Sequence, residues 1–224
     1  MKPLADDVWQ LRGRLPFPNA INTYLVGDVL VDAGARFDTK LIIRQLEGRA
    51  PGAHALTHVH VDHQGASRAV CTRFGVPFWV PTGDAEAAAR PELIRERQPE
   101  RVINKVLFRV MAGPGHQVDR TLSEGDEVAG FQVLDTPGHS AGHVSLWREA
   151  DRVLILGDVL NNMDVATGIP GLREPKPYFT PDPVENRRSA RRLAGLEPSL
   201  VLFGHGAPLR DTRKFVDFAA SLPG

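Results

Sequence analysis

Apolar residues in this chain come in short runs, most of them closed by Gly, Asp or Pro. Runs of period two bounded in this way predict strands, and runs of period 3.6 predict helices. Residues 21–26 alternate, Gly27-Asp28 supplies a turn, and 29–31 continue, which predicts a hairpin. An amphipathic helix is expected over 39–47, with Asp38 or Thr39 as N-cap and Gly48 as its stop. A strand over 53–57 runs into a histidine-rich string, and a helix over 66–74 stops at Gly75. Residues 76–80 read as a strand, with Pro77 marking an edge or an end. Residues 84–90 read as a short helix. Val102, Ile103, Val106, Leu107 and Val110 fall at helical spacing.

Further strands are expected over 131–134, 143–147, 153–156 and 200–203, and helices over 183–193 and 213–220. Residues 161–182 are rich in Pro and Gly without a period and read as one long surface loop. No internal repeat and no linker is visible. The expectation is one α/β domain over 1–224, with mixed sheets inside and helices outside.

Composition narrows the function classes. A chain of 224 residues can bury a core without staples. Its formal net charge is zero, so no overall field favours nucleic acid or an anionic membrane. The single cysteine, Cys71, excludes an intramolecular disulfide and suits a reducing cytoplasm. Buried in a helix, Cys71 is expected to be inert. Residues 1–15 carry Asp6, Asp7, Arg12 and Arg14 and lack the apolar stretch of a signal peptide. No run approaches the roughly 20 apolar residues of a membrane span. The chain is therefore expected in the cytoplasm, acting on a small molecule, with no nucleic-acid or membrane partner.

The candidate chemistry lies in His58-Val59-His60-Val61-Asp62-His63. In extended chain, side chains at i and i+2 point the same way, so His58 and His60 present two imidazoles to one point. A turn after them would aim Asp62 and His63 at a neighbouring point. Imidazole and carboxylate suit zinc, iron or manganese. Asp32, His139, Asp158 and His205 each follow the end of an apolar strand. Strand ends are where a sheet protein assembles a site from distant sequence. His54 and His116 are expected to pack or lie at the surface. Arg187, Arg188, Arg191 and Arg192 are expected to form a solvated helix face, because like charges at i,i+4 repel.

These strings together resemble the metallo-β-lactamase fold superfamily, in the branch of glyoxalase II-like thioesterases and lactonases. The matching pieces are the run 58–63, His139 in Thr-Pro-Gly-His-Ser-Ala-Gly-His, Asp158 in Gly-Asp, and His205 in Gly-His-Gly. The resemblance covers about residues 20–210. It implies a four-layer αββα sandwich of two mixed sheets flanked by helices. It also implies two divalent metal ions, zinc first, with iron or manganese sharing the ligand types. His58, His60 and His139 would hold one ion and Asp62, His63 and His205 the other, with Asp158 bridging. Asp32 would support the ligand loops, and His143 would serve as a structural or supporting residue.

The chemistry implied is attack by a metal-bridging hydroxide on a small ester, thioester or lactone, with Asp62 orienting the water and accepting its proton. Substrate contacts are expected from residues 91–118 and 161–182, with Tyr178 as a candidate hydrogen-bond donor. The chain ends soon after His205, so the helical C-terminal domain of glyoxalase II enzymes is not expected. The alternative from another class is a mononuclear iron oxidoreductase resembling persulfide dioxygenases. A non-catalytic relative ranks last, because all seven ligand residues are present.

Overall fold

The computed structural model describes residues 1–13 and 17–224. Arg14 and Leu15, within the segment read above as lacking a signal peptide, lie outside the described residues. Two sheets carry the fold. The first runs in the order β1 (Lys2–Ala5), β2 (Val8–Leu11), β3 (Thr23–Val26), β4 (Val29–Val31), β5 (Ala53–Ala55), β6 (Phe78–Pro81), β7 (Arg120–Leu122). Its β1–β4 pairs are antiparallel and its β4–β7 pairs parallel. The second is built from β8 (Glu127–Val128), β9 (Phe131–Asp135), β10 (Val144–Arg148), β11 (Val153–Gly157) and β14 (Leu200–Phe203), in the order β14-β11-β10-β9-β8. Only β11 and β14 run parallel there.

Strand alternation decides what faces what. Val29 and Val31, Val153 and Ile155, Leu200 and Leu202 point into one core shared by both sheets. Their neighbours Leu154, Leu156, Val201 and Phe203 point outward, against Leu193 and Ala190 of α6 (Pro183–Ala194) and Phe215 and Ala219 of α7 (Arg213–Ser221). On the far face of the first sheet, Leu25 and Leu30 meet Ile42 and Leu46 of α1 (Thr39–Leu46) and Val70 of α2 (Ser67–Phe74). Leu56, Phe78 and Val80 meet α3 (Ala85–Ala89) and α4 (Glu92–Glu96) through Ala87, Ala88 and Ile94. The result is helix, sheet, sheet, helix: the expected αββα sandwich. Each Leu, Ile or Phe so buried contributes about 2 kcal/mol.

The hairpin at Gly27-Asp28 forms as expected, as do both helix stops near Gly48 and Gly75; Gly75 takes a left-handed φ of 68°. Pro77 marks an end rather than an edge, since it immediately precedes an interior strand. The segment 161–182 differs from expectation. It contains a hairpin of β12 (Asn161–Met163) and β13 (Pro170–Arg173). The hairpin is closed by Asp164, which accepts from Ala166 N and Thr167 N and pairs with Arg173 and Lys176. Polar side chains rather than apolar alternation hold it, so periodicity could not announce it. The arginines of α6 are also not a merely solvated row. Arg187 pairs with Glu174, Arg192 with Glu124, Arg188 with Glu185, and Arg191 donates to the carbonyls of Leu222 and Pro223. The helix α5 (Val102–Met111) keeps its expected spacing, but buries Asn104 and Met111 and turns Val102, Ile103, Val106 and Val110 outward.

Candidate metal centre

One edge of the sandwich gathers the ends of β4, β5, β9, β11 and β14. The two sheets are joined there by Val144 N donating to Thr57 O at 2.9 Å. The chain leaves β5, bends at Thr57 and turns after His60, with His63 N and Gln64 N both donating to His60 O. That turn separates the two pairs of side chains as the spacing predicted. His58, His60 and His139 bring one ligand atom each to within 4.8 Å of one another, as do Asp62, His63 and His205, and as do His58, His63 and Asp158. Asp158 Oδ2 stands between the first two groups, 3.5 Å from His139 Nε2, 3.5 Å from His63 Nε2 and 3.0 Å from His205 Nε2. All seven predicted ligand residues meet at this edge.

The imidazoles are held by their other nitrogens. Nδ1 of His58 meets Thr57 Oγ1 at 3.0 Å, that of His63 meets Asp32 Oδ2 at 2.8 Å, and that of His139 meets Thr180 Oγ1 at 3.1 Å. His205 Nδ1 donates to Ala20 O. This leaves Nε2 of His58, His63 and His139, with Asp158 Oδ1, buried and without a hydrogen-bond partner. Orphaned buried polar atoms are costly, at about 1–3 kcal/mol each. Four such atoms gathered at one edge fit bound cations. Orientation of metal-ligating histidines through the second nitrogen is the usual supporting arrangement.

The protonation states divide the imidazoles into two kinds. Burial, then the neighbouring imidazoles, push His58 and His139 well below the ordinary histidine range, so both present lone pairs. Burial opposes ionisation of Asp158 and Asp62, yet the surrounding imidazoles hold both well below the usual carboxylate range. Burial also opposes charging of His63 and His205, but the Asp158 carboxylate and its partners outweigh it: His63 is held well above the ordinary value and His205 rises to about 10. Neutral imidazole and ionised carboxylate are the forms that bind metal, so His58, His139 and the two carboxylates are ready as they stand, whereas His63 and His205 would give up a proton to a bound ion.

Asp32 sits in the predicted supporting place, its two oxygens accepting from Thr57 N, Thr57 Oγ1 and His63 Nδ1. His143 is structural: its Nε2 accepts from Asp158 N at 3.0 Å, and its Nδ1 lies 2.8 Å from Thr136 Oγ1. His54 is fully buried, bonded to Leu30 O and Ser67 Oγ, and His116 packs near Phe78. Cys71 is buried, and burial with nearby Asp119 pushes its thiol up to about 12. Tyr178 meets Phe179 edge-on, and its carbonyl accepts from Asn104.

Sequence reasoning missed Asp84. This buried carboxylate accepts from Val59 N at 3.1 Å, Ser140 Oγ at 2.7 Å and Gly142 N at 3.1 Å. It thereby ties the loop of His58 and His60 to the loop of His139. The signal was present: Asp84 follows an apolar strand, as the ligands do, but it was read as the start of a helix. A cavity of about 490 Å³ opens beside His60 and His139, with Val59, Ile94, Pro137 and Pro181 among its walls.

Comparison with known proteins agrees with this geometry. The family model described as the metallo-beta-lactamase superfamily matches residues 16–205. A probable metallo-hydrolase of Bacillus subtilis, YflN, is 32% identical over 200 residues, spanning 81% of this chain and 76% of that protein. An N-acyl homoserine lactonase of Bacillus thuringiensis is 28% identical over 152 residues, 66% of this chain and 53% of its own. The crystal structure of TTHA1623 in a di-iron-bound form superposes with a TM-score of 0.69 at 28% identity, covering 93% of this chain and 96% of that one.

Proposed function

Because the chain belongs to the metallo-beta-lactamase superfamily, we propose that it hydrolyses a small ester, thioester or lactone with the help of two divalent metal ions, zinc first. One observation carries this reading: two three-residue groups of ligand atoms flank Asp158, and Nε2 of His58, His63 and His139 is buried there without a hydrogen-bond partner. His58, His60 and His139 would hold one ion and Asp62, His63 and His205 the other, with Asp158 facing both. Bound there, such ions supply a water acidified toward neutral pH and a Lewis acid for the scissile carbonyl oxygen.

The rest falls to the chain. Asp62 is the one partly exposed member of the set, with Oδ2 3.3 Å from His205 Nε2. Its carboxylate stays ionised and would orient a water and take its proton. The cavity beside His60 and His139 has a volume suited to a small molecule. Its apolar walls exclude competing water and position the acyl group. Among the described residues no helix is long and apolar enough to cross a membrane, in keeping with a cytoplasmic enzyme acting on a small molecule. A core drawn from both sheets supports one domain over 1–224.

Elemental analysis beside a panel of thioesters, esters, lactones and a persulfide tests the reading. Two metal ions per chain with hydrolysis are expected, and Asp62→Asn should keep the metals but cut turnover by roughly 100-fold or more. A single iron with oxygen consumption would replace the hydrolase by the oxidoreductase. Near-wild-type turnover in the metal-loaded Asp62→Asn protein would remove Asp62 from its role.

A further inference from the structure

On α5, apolar spacing and burial point in opposite directions. Val102 is 78% exposed, Ile103 45%, Val106 50% and Val110 48%. Four large apolar side chains therefore stand in solvent on one helix. At about 100° per residue they share an arc of roughly 100°. Arg101, Lys105 and Arg109, all exposed, recur at every fourth position and form a row along one border of that arc. The helix cannot roll to hide this face. Its back is pinned by Asn104, whose amide donates to Pro99 O and Tyr178 O at 2.8 Å each, and by Leu107 packed with Ile21, Ala35 and Met111.

α5 itself contains no acidic residue. Glu100 pairs with Lys105 at 2.7 Å, and Arg101 and Arg109 keep the row cationic. The zero net charge of the whole chain conceals this local excess.

We infer that this face of α5 docks the protein on an anionic lipid surface, lying in the interface rather than crossing it. An apolar arc edged by Lys and Arg is what an interfacial helix requires: the apolar side chains enter the headgroup boundary and the basic row meets anionic headgroups. The one acid beside the row, Glu100, is already paired with Lys105, so a second copy of the same face offers Arg101 and Arg109 no free acidic partner. A peptide would need a groove. These side chains instead protrude, and they line neither the cavity of about 490 Å³ nor that of about 430 Å³ beside Asn19. The contact of one short helix is weak and reversible. It sets the metal centre close to the lipid, because Val61, between His60 and Asp62, packs against the same cluster of Ile21, Ala35 and Met111 as Leu107.

Vesicle sedimentation of the full chain tests the inference. Vesicles of phosphatidylcholine with about one-third phosphatidylglycerol should pellet the protein at low salt, and phosphatidylcholine alone should not. Salt at about 0.5 M should release it. The double variant Val102→Asp/Val106→Asp should lower partitioning by roughly tenfold or more with an unchanged circular dichroism spectrum. Replacing Arg101, Lys105 and Arg109 by Gln should lower it by about fivefold per charge. No pelleting with the anionic vesicles, or full pelleting of the Asp double variant, overturns the inference. So does a dimer in light scattering that the Asp double variant dissolves, or binding of an acidic helical peptide in place of vesicles.

Discussion

Asp32 accepts a hydrogen bond from His63 Nδ1 at 2.8 Å, and both side chains are buried. The same carboxylate accepts from Thr57 N and Thr57 Oγ1, so one residue fixes both the exit from β5 and the ring plane of His63. Its φ of 59° is left-handed, which Asp and Asn tolerate better than Ala. Asp32→Asn keeps the shape but turns one acceptor into a donor that faces donors. We expect a stability loss of about 1–3 kcal/mol and a metal affinity lower by roughly 10–100-fold. Asp32→Ala should lose about 1 kcal/mol more from backbone strain. Chemical denaturation and chelator competition measure the two effects; unchanged metal affinity in the Asn variant would show that His63 needs no such anchor.

Asp84 makes a second, separable prediction. It joins the loops of His60 and His139 through Val59 N, Ser140 Oγ and Gly142 N. Asp84→Ala strands those donors, and buried unpaired donors cost about 1–3 kcal/mol each. Stability should fall by roughly 3 kcal/mol, and the ion held by His58, His60 and His139 should be lost before the other. Metal stoichiometry during dialysis against a chelator reads the order of loss. Equal loss from both positions would mean that Asp84 serves the fold alone.

The legible part of this molecule was the set of His and Asp side chains that meet at one sheet edge. His58, His60, Asp62 and His63 lie on one continuous stretch whose extension and turn follow from local rules. His139, Asp158 and His205 announce themselves as polar residues after apolar strands. The αββα layers follow from unbroken apolar runs such as Val153–Gly157, buried on both faces. Less legible were elements held by polar side chains, such as the hairpin around Asp164. The outward turn of Val102 and Val106 was equally hidden, because spacing defines a helical face without saying which way it points. Asp84 shows a third limit, since one residue can end a strand and begin a helix while its main work is across space.

His54 gives a pH prediction away from the metal ligands. It is fully buried on β5, and burial lowers its pKa from 6.5 to about 4. The folded protein therefore holds His54 neutral while the unfolded chain takes up a proton below pH 6.5. Stability contributed by neutral His54 is present above pH 6.5 and is lost as pH falls toward 4. Between pH 7 and pH 5 the loss is roughly 2 kcal/mol. His54→Gln can still donate to Leu30 O but cannot be protonated. Urea midpoints at the two pH values should therefore move less in this variant than in the wild type. Parallel pH responses in the two proteins would assign the acid sensitivity elsewhere.

Gly204 tests how tightly the centre is built. A Cβ there would lie 1.9 Å from Asp158 Oδ1 and 2.8 Å from His63 Cε1. The position immediately precedes His205, and Gly204 N donates to Gly157 O, so the backbone cannot swing away cheaply. Gly204→Ala must displace Asp158, the residue that faces both groups of ligands. Overpacking of this kind costs about 1–3 kcal/mol, and we expect the larger effect on metal content, which should fall at both positions. Gly48→Ala is the control, because a Cβ there meets nothing within 4 Å; its stability and metal content should match the wild type. Full metal content in Gly204→Ala would show that Asp158 moves without consequence, and would argue against its holding either ion.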